Sequence, residues 1–150
     1  MAILRSLLLL LIVFSMGNAE VDIDEKCPNG WTNFGVRCYK FFSQGVNWIT
    51  RNCQSLDANL ASVHSKLEND LLLSLLPSST TRSWLGVHDG EQEGQWTWSD
   101  GTPYDYNNWC SGEPNNYGAE NCVDISWTAN RCWKDMPCSY QIGYTCAKSL

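Results

Sequence analysis

Residues 109–138 read WCSGEPNNYGAENCVDISWTANRCWKDMPC. The stretch sets Glu113-Pro114-Asn115, then Glu120-Asn121-Cys122, then Cys132-Trp133-Lys134-Asp135 among cysteines, with Cys138 at its end. Acidic and carboxamide side chains thus lie on a short, Trp-rich segment that disulfides can staple. Oxygen ligands of this kind suit a hard cation, Ca²⁺ above all. Glu113, Glu120 and Asp135 are unlike a solvated charge run, because Cys, Pro, Asn and Trp separate them. The remaining chain reads as scaffold for this site.

Around that stretch, short strands are predicted at 122–127, 131–135 and 143–147. Residues 104–118 are polar, aromatic and turn-forming without a usable period, and such a loop inside a compact domain is usually functional. Upstream, 95–99 reads as a strand with Trp96 and Trp98 on one face. Residues 100–103 form a turn, 88–94 an acidic loop, and 82–87 a strand. Ser65-Lys66-Leu67-Glu68 is a capping box. It starts a helix with a Leu67, Leu71, Leu75 stripe that Pro77 stops, and the run of leucines predicts a well-buried helix. An earlier helix is predicted over 46–56. There Val46, Ile49, Cys53 and Leu56 share a face and turn Cys53 inward. Residues 60–63 read as a short strand. At the start, Asn29-Gly30 and Gly35 mark turns of a hairpin with a strand over 36–42, and Cys27 and Cys38 lie on its two arms. Two helices with many short strands predict an α+β domain.

The chain has 150 residues, which makes one domain the expectation. Arg5, the apolar run 7–14 and the small residues Gly17-Asn18-Ala19 read as a secretory signal peptide over 1–19. The run is too short to span a bilayer, which takes ~20 residues. A short acidic lead over 20–26 and a domain over 27–150 follow. All eight cysteines lie beyond the cleavage point. A secreted chain with that count implies a disulfide framework, although eight cysteines allow 105 connectivities. No C-x-x-C pair supports a zinc site. The net charge is −6, and losing Arg5 makes it one unit more negative. With no basic cluster, this argues against nucleic acid and anionic membranes as partners. No N-x-[ST] sequon is present. With no collagen-like or coiled-coil segment before Cys27, a homo-oligomer would need surface contacts.

From Cys27 to Cys146 the chain resembles a C-type lectin-like domain. The landmarks are Trp84-Leu85-Gly86-Val87, Trp96-Thr97-Trp98-Ser99-Asp100-Gly101, Glu113-Pro114-Asn115, Glu120-Asn121-Cys122, Trp133-Lys134-Asp135 and the terminal Cys146. The resemblance implies bridges Cys53–Cys146, Cys122–Cys138 and Cys27–Cys38, leaving Cys110 and Cys132 to pair. The last bridge is similar to one in small secreted fish lectins and type II fish antifreeze proteins of the same fold. It further implies Ca²⁺ ligated by Glu113, Asn115, Glu120 and Asp135, with two sugar hydroxyls completing the shell. The Glu-Pro-Asn order resembles the mannose-type branch (mannose, fucose, glucose, N-acetylglucosamine). A second ion would map to Asp89, Glu93, Asn116 and Asn121, with Asn121 removing one charge where an Asp is common.

Physical chemistry supports the same site. Ca²⁺ takes six to eight oxygens. Asn115 offers an oxygen to a metal and an NH₂ to a sugar, and a cis Glu113–Pro114 bond would hold both side chains on one side. Lys134 departs from the pattern, standing where the family has an Asn. It has three donors and no acceptor. An ammonium ~4 Å from a divalent ion is repelled by ~8 kcal/mol at an effective dielectric of 20. Three outcomes stay open. Lys134 swings to solvent and leaves a weakened Ca²⁺ site completed by water; it folds in and neutralises Glu113, Glu120 and Asp135 without metal, an outcome compatible with a sugar-binding surface to which Lys134 donates; or the site is retired and binding is done elsewhere.

Trp31, Trp84, Trp96, Trp98 and Trp133 are expected in the core. Trp109 and Tyr117, flanking the long loop, are the candidates for ligand contact. His64 and His88 have no matched nucleophile nearby in sequence, so no enzyme is expected. The resulting expectation is a secreted, calcium-dependent lectin for microbial or host glycans, weakened by Lys134. The alternatives are a type II antifreeze protein and a metal-free protein-binding domain on the same scaffold.

Overall fold

The computed structural model describes residues 26–116 and 120–150. The leader 1–19, the lead up to residue 25 and Tyr117 lie outside the described residues. In chain order the elements are β1 (Thr32–Phe34), β2 (Arg37–Val46), α1 (Arg51–Gln54), β3 (Asn59–Leu60), α2 (Lys66–Ser74), β4 (Ser83–His88), β5 (Thr97–Trp98), β6 (Cys122–Ile125), β7 (Lys134–Met136) and β8 (Ile142–Ser149).

One mixed sheet runs β1-β2-β8-β4-β6-β7, with β3 on β8 and β5 on β4. Among the named strands, β4 and β8 pair in parallel and the other pairs are antiparallel. The hairpin turns at Gly35, whose φ of 61° is left-handed. Gly86 is required for a different reason: a Cβ there would lie 2.5 Å from the Leu60 carbonyl oxygen.

Four disulfides close: Cys27–Cys38, Cys53–Cys146, Cys110–Cys132 and Cys122–Cys138. Cys53–Cys146 spans 93 residues, a loop whose closure is worth about 4–5 kcal/mol in the chain-entropy model. Trp133 is fully buried. Trp98, Tyr106 and Trp109 each present a ring at 5.9 Å, near edge-on. Such pairs add to the burial of their area.

Both predicted helices need correction. Val46 pairs with Ile142 and ends β2 rather than starting a helix. The helix that follows has four residues, and Ile49 and Leu56 are each 40 % exposed while Cys53 is buried. In α2 the cap forms as expected, Ser65 Oγ accepting from Glu68 N at 3.2 Å. The carboxylate of Glu68 returns to His64 N at 2.9 Å, one residue before the cap. Leu67, at 69 % exposure, is not core. The buried face is Asn69, Leu72 and Leu76, and Asn69 Oδ1 accepts from Trp133 Nε1 at 2.8 Å. That bond anchors the helix to the strand bearing the site.

Candidate functional site

β6 and β7 pair with Cys122 opposite Met136, Val123 opposite Asp135 and Asp124 opposite Lys134. Beside β7, Cys110 N donates to Trp133 O and Trp133 N to Asn108 O, both at 2.8 Å. The Cys110–Cys132 bridge fixes this register. Glu113 N then turns back onto Cys110 O at 2.9 Å. The Glu113–Pro114 bond is cis, and Asn115 Nδ2 donates to Glu113 Oε1 at 3.0 Å. Asp135 holds the loop from below, accepting from Asn115 N at 3.1 Å and Asn116 N at 2.7 Å.

Lys134 is turned into this loop. Its ammonium donates to Glu113 Oε1 at 3.1 Å and lies 3.6 Å from Glu120 Oε2. Of the three outcomes open from sequence, the lysine position matches the second, folded in beside Glu113 and Glu120 rather than turned to solvent. Three carboxylates around one ammonium explain the choice. Burial pushes the Glu113 carboxyl up to about 7, reinforced by the Asp135 carboxylate and opposed by Lys134. For Lys134 burial works against the charge, but Glu113, then Glu120 and Asp135, outweigh it and raise its pKa.

Glu113, Asn115, Glu120 and Asp135 therefore converge on one locus with Lys134. The Lys134 ammonium stands between Glu113 and Glu120, where a divalent ion would have to compete with it, while Asp135 accepts one backbone N–H at each oxygen and Glu113 Oε2 is buried without a hydrogen-bond partner. The second set differs. Asp89 is buried; its Oδ2 accepts from Gly94 N at 3.0 Å, and its Oδ1 has no hydrogen-bond partner. Asp89 N donates to Asn121 O at 3.1 Å. Glu93 is exposed, its carboxyl raised by partial desolvation and then by Asp89 and Asp135. Asn116 is left-handed with φ 51°. A buried carboxylate beside a second carboxyl, that of Glu93, is chemistry that suits a hard cation. Among the described residues, no three His, Cys, Asp or Glu side chains are gathered as a metal shell.

Trp84, Trp98 and Trp133 are core, as expected, while Trp31 and Trp96 are half-buried. Trp109 is half-buried, packs on Trp96 at 5.0 Å and Trp133 at 5.9 Å, and its Nε1 donates to Tyr104 OH. Among the described residues, Trp127 is an exposed aromatic beside the site, its ring centre 5.3 Å from Lys134 Nζ. Its only sequence signal is an isolated Trp in a polar turn, Ser126-Trp127-Thr128.

His64 does have partners: Asp105 Oδ1 at 2.7 Å from Nδ1 and Ser62 Oγ at 3.1 Å from Nε2. This order resembles a nucleophile–base–acid relay. Ser62 is fully buried, however, and its hydroxyl donates to Asp100 Oδ2 at 2.5 Å. A nucleophile must reach its substrate, and this one is sealed in a structural network with Arg37.

A family model described as the lectin C-type domain matches residues 43–148. Ladderlectin of Oncorhynchus mykiss is 44 % identical over 119 residues, covering 75 % of this chain and 63 % of its own length. The chain thus spans less than two thirds of that relative. The structure of herring type II antifreeze protein superposes with a TM-score of 0.80 at 33 % identity, covering 83 % of this chain and 99 % of that one. A calcium-independent type II antifreeze protein gives 0.77 at 32 % identity, covering 83 % and 95 %. These relatives share a binding fold, not an enzyme.

Proposed function

We propose that this chain, which belongs to the C-type lectin family, is a secreted carbohydrate-binding protein whose mannose-type site carries its own cation in Lys134. The carrying observation is the ammonium held between Glu113 and Glu120. A sugar with two vicinal hydroxyls meets Glu113 and Glu120 as acceptors, and Lys134 and the Asn115 amide as donors. A lysine ammonium has three N–H groups, so two carboxylates do not exhaust it. Charge-assisted bonds of this kind are the strong ones, but a monovalent centre grips hydroxyls less firmly than Ca²⁺, so monosaccharide affinity falls in the millimolar range (about −4 kcal/mol). Calcium binds weakly at this position while Lys134 holds it. Asp89 and Glu93, with Asn116 and Asn121, would hold an ion at the second position and stiffen the loop there.

The test is chromatography on immobilised mannose with and without EDTA. This reading expects retention that EDTA does not abolish and that Glu113→Gln or Lys134→Ala does. Release of the wild-type protein by EDTA, with both variants behaving alike, would contradict it.

The likeness to antifreeze structures favours a second reading, an ice-binding surface on the same fold. Thermal hysteresis in a protein with no sugar retention would select it.

A further inference from the structure

An open cavity of about 390 Å³ is lined by Ser79, Thr80, Ser126, Trp127, Thr128 and Ala129. Trp127 is 40 % exposed. Arg82 Cζ lies 4.4 Å and Lys134 Nζ 5.3 Å from its ring centre. The same ammonium donates to Glu113, so Trp127 lines the cavity and also neighbours the carbohydrate site.

The wall is built rigidly. Ser126 and Arg131 are left-handed non-glycine residues, with φ of 75° and 55°. Such residues persist where surrounding structure over-determines them, often at ligand clamps. Here the surroundings are visible: Ser126 Oγ donates to Ser79 O at 3.3 Å. Arg131 reaches Ser126 Oγ at 3.4 Å and Leu73 O at 3.0 Å. Trp127 N donates to Cys132 O at 3.2 Å, next to the Cys110–Cys132 bridge. A preformed wall binds without first being ordered.

Its chemistry is one indole ringed by hydroxyls. A pyranose suits that wall, with an apolar C–H face for the indole and hydroxyls for the exposed Ser79 and Thr80, Ser126 and Thr128 being held by the loop itself. A protein partner would favour a broader apolar core than one aromatic among hydroxyls.

We propose that the Trp127 cavity is a subsite for the second sugar ring of an oligosaccharide whose first ring sits at Glu113 and Lys134. The assignment rests on the carbohydrate reading above and makes the natural ligand an oligosaccharide rather than a free monosaccharide. The second ring binds as a tethered group, so modest contacts add to the first ring's affinity.

The experiment is isothermal titration of the full chain with methyl α-mannoside and with mannotriose. Wild-type protein is expected to bind the trisaccharide about three- to tenfold more tightly. Trp127→Ala removes the aromatic face, and Ala129→Phe fills the cavity without touching the Trp127–Lys134 contact. Both are expected to equalise the two sugars, and the second to leave the monosaccharide affinity as it was. Equal binding of both sugars by wild-type protein, or a preference surviving both substitutions, overturns the subsite alone. Failure to bind either sugar overturns the carbohydrate reading and the subsite with it.

Discussion

The ammonium of Lys134 lies 3.1 Å from Glu113 Oε1, at the locus where Glu113, Asn115, Glu120 and Asp135 meet. A side chain from β7 thereby supplies the positive charge that the oxygen-rich loop calls for. Cross-strand, Lys134 stands opposite Asp124, which pairs with Arg82. Arg82 and Lys134 both lie over Trp127. The site is one end of a charge network running from the sheet to the surface.

Sugar retention is expected to depend on pH through Glu113. Its carboxyl is pushed up to about 7, chiefly by burial, and only the ionised form accepts from sugar hydroxyls at both oxygens. Lys134, with a raised pKa, stays charged throughout. Mannose affinity should therefore rise between pH 6 and 8, with a midpoint near 7. A flat titration profile would remove Glu113 from the sugar contact.

Asp124 makes a stability prediction of the opposite sense to the usual carboxylate. Burial pushes it up to about 6, against the pull of Arg82, while in an unfolded chain it titrates near 3.9. The folded state holds the proton more tightly, so stability falls as pH rises from about 4 to 6 and levels off above. Denaturant unfolding across that range should show this slope in the wild type and a reduced one in Asp124→Asn. An identical slope in both proteins would show that Asp124 titrates normally.

The Asn69–Trp133 bond is expected to be structural. Asn69→Leu keeps the branching and heavy-atom count of the side chain and leaves Trp133 Nε1 buried without an acceptor, a loss of about 1–3 kcal/mol. Urea unfolding at fixed pH measures it. A change within about 0.5 kcal/mol, the range of a surface substitution, would mean that Trp133 finds another acceptor.

Much of the site was legible because its parts are marked by unusual residues: paired cysteines, Glu-Pro-Asn and the Trp-Lys-Asp turn. The helices were less so. Val46 fits a helical period locally, yet its pairing with Ile142 across β2 and β8 prevailed. In α2 a polar residue, Asn69, defines the buried face, which apolar periodicity assigns to solvent. The direction of Lys134 was out of reach, since it depends on carboxylates distant in sequence. Trp127 was missed because a lone aromatic in a polar turn has no period, and its placement depends on Ser126 and Arg131.

The most direct measurement is a calcium titration of the wild type and Lys134→Asn, each with and without methyl α-mannoside. Removing the ammonium and adding an oxygen donor should tighten calcium binding at least about tenfold, or about 1.4 kcal/mol, with sugar tightening it further only in the variant. Equal calcium affinity in the two proteins would show that Lys134 does not stand in the cation's place and that Glu113, Asn115, Glu120 and Asp135 do not form one site.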